Sequence, residues 1–201
     1  VKHLSTIPIC SNTLFLYKLN IKDNLVLKFK KEKFRHIPNV PSLIGGYGQS
    51  EDLNILKKYK ELKKEVNKAV DATLKEILML KNINYRIFSS WLTKVGPKGF
   101  SDSHIHSNSW LSGIYYPKGD PGFKVKFYFD NKGQFSTDPI EYNIFNAGYW
   151  VIPAEDNLLI LFFSQLRHKV LPNQSTEDRF SLAFNLLPKG EFGKGDSRII
   201  F

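Results

Sequence analysis

At 201 residues the chain is too long for a disulfide-stapled mini-protein and short for two ordinary domains, so one domain over 1–201 is expected. Hydrophobic residues at 42% and aromatic residues at 14% supply a sizeable core and exclude a disordered chain. A single cysteine, Cys10, excludes an intramolecular disulfide and a cysteine-based zinc site, points to a reducing compartment, and leaves His and carboxylates as metal ligands.

The net charge of +10 is unevenly placed: residues 1–80 carry 15 basic against 8 acidic side chains, a net of +7, and the rest only +3. Of the 29 basic residues only 5 are Arg, whereas base and phosphate recognition favours the Arg fork. A nucleic-acid module is therefore not expected, and the Lys-rich surface favours an acidic partner at most mildly. The longest apolar run, Leu158 to Phe163, is far below the roughly 20 residues of a bilayer span. The start, from Val1 to Thr6, has no basic-then-apolar leader pattern and lacks Met, as a trimmed N-terminus would; the expected location is cytoplasmic.

In chain order, Leu14–Leu19 and Leu25–Phe29 read as short strands separated by polar residues. A Pro- and Gly-rich loop runs from His36 through Gly48 to Ser50, which reads as an N-cap. From 51 to 80 apolar residues recur every three or four positions (Leu53, Leu56, Tyr59, Leu62, Val66, Val70), predicting one long amphipathic helix. After Asn82 the period turns extended. Strands are predicted at 85–91, 100–106, 111–116, 123–129, 143–152, 158–163 and 179–187, with turns at Gly96–Gly99, Pro117–Gly122 and Asn131–Gly133. Seven strands in about a hundred residues suggest a sandwich or barrel with a supporting helix.

Three histidines fall in the β half. In an extended Ser103-His-Ile-His-Ser107, His104 and His106 share a face, as metal ligation needs, although HxH alone is more often a pair of surface histidines. His168 follows the apolar strand 158–163. Eleven residues on, Arg179, Ser181, Ala183 and Asn185 share one face of the last strand, and Phe180, Leu182, Phe184 and Leu186 the other. A guanidinium and a hydroxyl side by side suit one carboxylate; the plain alternative for Arg179 is a surface ion pair with Glu177 or Asp178.

The order HxH, strands, His, then Arg-x-Ser resembles the Fe(II)- and 2-oxoglutarate-dependent oxygenases. Gly99 to His106, Ser112 to Tyr116, Leu159 to Val170 and Arg179 to Asn185 together look most like a bacterial and phage subgroup with an HxH motif, over roughly residues 84–187. The resemblance implies a mainly β fold with an N-terminal α element: a double-stranded β-helix (jelly-roll, cupin-like) core at 84–187, preceded by strands and a supporting helix in 1–82. It implies Fe(II) and 2-oxoglutarate as cofactor and co-substrate, with O2, and substrate oxidation, usually hydroxylation, coupled to decarboxylation of 2-oxoglutarate. The implied metal set is His104, His106 and His168; Arg179 and Ser181 would take the distal carboxylate, with Tyr116 donating to it.

His106 stands where the family has an acid, so Asp102 and Asn108 remain alternatives for the second ligand, and Asp102 could instead orient His104. A cupin would want Glu where Trp110 stands. Tyr115 reads as core; Trp91 and Trp110 read as a possible aromatic wall, with at least one of them in the core, and Trp150 carries no functional hint. The substrate is open between a small molecule, an amino acid and a protein side chain. The competing reading is a catalytically silent cupin-like binding protein.

Overall fold

The computed structural model describes residues 2, 5, 12–35, 47–81, 83–128, 139–143 and 145–201. Its elements run β1 (Leu14–Lys18), α1 (Leu25–Phe29), β2 (Phe34–Arg35), β3 (Tyr47–Ser50), α2 (Lys60–Ala72), β4 (Asn84–Val95), β5 (Leu111–Tyr116), β6 (Asp120–Tyr128), β7 (Tyr149–Ala154), β8 (Leu158–Phe163), β9 (His168–Val170), β10 (Arg179–Lys189), β11 (Glu191–Phe192) and β12 (Ile199–Ile200). A seven-stranded antiparallel sheet has the order β1-β8-β5-β10-β4-β3-β2, and a three-stranded one the order β7-β6-β9. The two sheets are those of a double-stranded β-helix.

Strand alternation gives the large sheet two different faces. Leu111 and Tyr115, Leu159 and Leu161, and Phe180, Leu182, Phe184 and Leu186 point to one side, where Leu62, Val66, Ala69, Val70 and Leu74 of the helical segment cover them. On the other side Ile114, Tyr116, Leu158, Ile160 and Phe162 meet Phe123, Val125, Phe127 and Ile152 of the small sheet. The helix thus closes one face, and the space between the sheets is left for the site.

Gly113, in β5, is demanded by this packing. A Cβ there would lie 2.2 Å from Phe184 Cζ and 2.8 Å from Leu161 Cδ2, both fully buried. Gly113→Ala is expected to cost about 1–3 kcal/mol, the usual range for overpacking a tight core. Denaturant unfolding checks it, and an unchanged midpoint would show that the ring yields without loss.

Four expectations need correction. Leu25–Phe29 is a helix rather than a strand: the Asn24 side chain accepts from Leu27 N at 3.3 Å, and Leu25 and Phe29, one turn apart, are the buried pair. Ser50 caps no helix; it ends β3, accepting from Leu92 N at 2.9 Å and donating to the Asp52 carbonyl at 2.8 Å. The helix therefore starts at Lys60, after a 3-10 turn at Ile55–Lys58, and ends in a π turn at Thr73–Ile77. The 100–106 strand reduces to one bridge, His104 with His168, and the 143–152 strand begins only at Tyr149. The loop from 36 to 46 and the turn at 131–133 lie outside the described residues.

Candidate metal and carboxylate site

His104 and His168 are joined by reciprocal backbone hydrogen bonds, His104 N to His168 O at 2.9 Å and His168 N to His104 O at 3.0 Å. His106 N donates to the Ser164 carbonyl at the end of β8, at 2.9 Å. These contacts tie the HxH segment to the edge where the two sheets meet. They bring three imidazoles together, with ring centroids 4.4 to 5.4 Å apart. Among the described residues, His104, His106 and His168 form a group able to hold a metal ion, with one nitrogen of each within 4.8 Å of the others.

Each ring is oriented through Nδ1. His104 Nδ1 lies 2.8 Å from the Asp102 carbonyl, His168 Nδ1 3.0 Å from the Leu166 carbonyl, and His106 Nδ1 2.6 Å from Asn185 Oδ1. Carbonyl oxygens only accept, so each Nδ1 carries the proton and each Nε2 keeps its lone pair for a metal. Asp102 thus serves His104 through its main chain; its carboxylate is not part of the ligand group. Asn108 sits exposed at a turn, with a left-handed φ of 56°.

His106 is 8% exposed and His168 1%, whereas His104 is open to solvent. Burial pushes the His168 imidazole down to about 3, with the nearby His104 adding to the shift. Burial likewise pushes His106 down to about 4, against the hydrogen bond its Nδ1 gives to Asn185. Both rings are neutral, as ligands must be. In the unfolded chain they titrate near 6.5, so between about 6.5 and 4 the unfolded state binds more protons and stability falls with falling pH. The metal-free protein is therefore expected to hold its unfolding midpoint from pH 8 to 7 and lose it below about 6.5. The acid slope should be shallower in His168→Gln; equal slopes would remove His168 as its source.

Farther along the same inner face lies the second group. Arg179, 1% exposed, opens β10 opposite Val95 of β4, and Ser181, buried, follows opposite Thr93. The burial of Arg179 argues against a surface ion pair; Asp178 instead meets Lys94 at 2.9 Å. Tyr116 follows Tyr115, which pairs with Leu182 across the β5–β10 ladder, so it stands beside the Ser181 end of β10 on the inner face; burial pushes its hydroxyl up, and the Arg179 charge draws it back. Tyr115 points to the helix side, where its hydroxyl donates to Asn157 Oδ1. Trp91 lies against His106 with centroids 5.6 Å apart, and Trp110 packs on the helix-side core.

Sequence reasoning missed three features. Asn173, fully buried, donates to the Val95 and Glu177 carbonyls at 3.2 and 2.8 Å and so braces the turn that delivers Arg179. Asn185 meets His106, although its phase with Arg179 was a usable signal. Trp150, 42% exposed, sits in register with Phe127, which itself pairs with His168, placing an indole on the inner face two strands from the histidines.

Residues 89–185, which include all six predicted site residues, match the family model described as "Putative 2OG-Fe(II) oxygenase". A prolyl hydroxylase from Trichoplax adhaerens, in complex with a hypoxia-inducible-factor peptide fragment, shares the fold at a TM-score of 0.60 and 13% identity, over 88% of this chain and 84% of that one. A Pseudomonas putida prolyl-4-hydroxylase does so at 0.55 and 13%, over 90% and 95%. The epimerase SnoN, in complex with Fe3+, alpha-ketoglutarate and nogalamycin RO, does so at 0.58 and 9%, over 88% and 79%. No curated protein matches the sequence. The site-bearing strands are thus similar in sequence to the 2OG-Fe(II) oxygenase family model, and the fold over most of the length is the one these oxygenase structures share. No helix among the described residues is long and apolar enough to cross a membrane.

Proposed function

We propose that His104, His106 and His168 hold Fe(II), that Arg179, Ser181 and Tyr116 hold 2-oxoglutarate, and that the chain hydroxylates a small molecule, amino acid or protein side chain. The observation that carries this reading is the arrangement on one inner face: three imidazoles with Nδ1 committed to oxygen acceptors, and farther along it a buried guanidinium and a buried phenol on the adjacent strands β10 and β5. The donor set fits the metal, because three neutral nitrogens leave further positions open, as non-haem iron requires. With Fe(II) bound, the centre supplies activation of O2, which couples oxidation of the substrate to decarboxylation of 2-oxoglutarate.

The protein's own part is positioning. Arg179 offers a planar fork of donors to a carboxylate and stays charged at any working pH. Ser181 and Tyr116 add hydroxyl donors to the same anion. Burial of all three excludes water and strengthens each contact. The apolar floor of Phe127, Ile160 and Phe162 keeps solvent from the buried side of the histidines, while exposed His104 marks the open side, where substrate enters. The lone thiol Cys10 is in keeping with a cytoplasmic setting and the chain length with one domain over 1–201.

The second reading, a silent binding protein, draws on one feature: a neutral imidazole at the position of the family's acid leaves the metal with one more unit of positive charge. Turnover of 2-oxoglutarate without added substrate separates the two. Protein loaded with Fe(II) under anaerobic conditions and then given O2 is expected to release succinate slowly, measured by NMR. No succinate above a metal-free control would overturn the oxygenase reading.

A further inference from the structure

We infer that Asn185 is the positioning residue that makes His106 a usable ligand, by holding its proton on Nδ1. This rests on the reading of His106 as a metal ligand and deepens it. A carboxylate ligand presents oxygen lone pairs whichever way it is turned. A neutral imidazole binds through Nε2 only when its proton is on Nδ1, and in water both tautomers are populated. A chain that has His at this position therefore needs a fixed acceptor on the far side of the ring.

Asn185 supplies that acceptor. Its Oδ1 is 2.6 Å from His106 Nδ1, across 79 positions of sequence. The amide is itself held: Asn185 stands directly opposite Ser112 in the β10–β5 ladder, and Ser112 Oγ donates to Oδ1 at 2.8 Å. An oxygen that receives a hydroxyl proton on one side presents its other lone pair to the ring. If the amide turned over, its NH2 would face His106 and force the proton to Nε2, which would then be unable to ligate.

Ser112 is backed by further hydroxyls. With the Ser112 proton on Asn185, its Oγ accepts from Ser164 Oγ at 2.8 Å; Ser164 Oγ also lies 2.9 Å from Ser109 Oγ, and Ser109 donates toward the Leu111 and Leu186 carbonyls at 3.0 and 3.2 Å. Ser112 and Ser164 are fully buried, and Ser164 also accepts the His106 backbone N–H at its carbonyl. A buried polar string of this length is costly unless each member is held. Among the described residues, the string meets an imidazole ring of the three histidines through the Asn185 oxygen.

The test reads the proton itself. In metal-free wild type, the 15N shifts of His106 are expected to report protonated Nδ1 and bare Nε2. Asn185→Asp, which can only accept, should keep that tautomer and tighten Co(II) binding about 10-fold by adding a carboxylate behind the ring. Asn185→Leu should shift His106 toward the Nε2-protonated form and weaken Co(II) about 10- to 100-fold, the usual cost of losing such a partner. Ser112→Ala should fall between, because it frees the amide to turn while leaving the oxygen present. An unchanged His106 tautomer in folded Asn185→Leu would overturn the inference, as would unchanged Co(II) affinity in that variant. If wild type bound no metal, the ligand reading would fail, yet the tautomer measurement would still decide the part played by Asn185.

Discussion

Arg179→Ala is expected to raise the dissociation constant for 2-oxoglutarate about 100-fold, the consequence of truncating one partner of a buried, hydrogen-bonded charge pair at about 2–4 kcal/mol. The size follows from burial. Arg179 is 1% exposed, with Ser181 on its own strand and buried Tyr116 on the adjacent one, so a carboxylate bound there would meet a fork of donors in a medium where water screens little. Arg179→Lys should recover only part, because a point ammonium cannot satisfy both carboxylate oxygens in one plane. Pyruvate, which lacks the second carboxylate, should bind wild type weakly and be indifferent to either substitution. Titration into Mn(II)-loaded protein without oxygen measures all of these, and wild-type affinity in Arg179→Ala would remove the residue from the site.

Much of this was readable because strands alternate with period two. In Arg179 to Leu186 the sequence alone sorts polar from aromatic positions, and the structure sends the first set inward and the second to the helix. The same rule does not decide Leu25–Phe29. A five-residue apolar run satisfies period two and an i, i+4 pair equally, and Asn24, which settles it, was read as part of a polar spacer. Ser50 shows a different limit. Its hydroxyl suits a helix start, but Leu92 N, 42 residues away, takes it for the sheet. Tertiary partners of this kind leave no local trace.

The site divides in the same way. His104, His106, His168 and Arg179 carry chemistry that is rare enough to be noticed, and their order along the chain is informative. Ser109, Ser112, Ser164 and Asn173 are ordinary residues whose importance comes from where the β-strands bring them. Trp150 is similar: only the register of β7 on β6 and of β6 on β9 puts it on the face that holds His168.

His104→Ala combined with His168→Ala is expected to reduce divalent metal uptake from one ion per chain to none. These two residues hold each other by paired backbone bonds, so their rings are fixed with centroids 4.4 Å apart before any metal arrives. Removing both leaves His106 alone, and a single imidazole has no chelate advantage. Outer partners of a metal site are worth about 10- to 100-fold each, so the loss of two direct ligands should weaken binding by more than about 1000-fold. The backbone bonds survive truncation at Cβ, and the apolar floor of Phe127 and Phe162 is untouched, so the double variant should fold. Circular dichroism checks the fold, and elemental analysis after gel filtration, with Mn(II) spin resonance, checks the metal. Equal metal content in folded double variant and wild type would move the metal away from these histidines altogether.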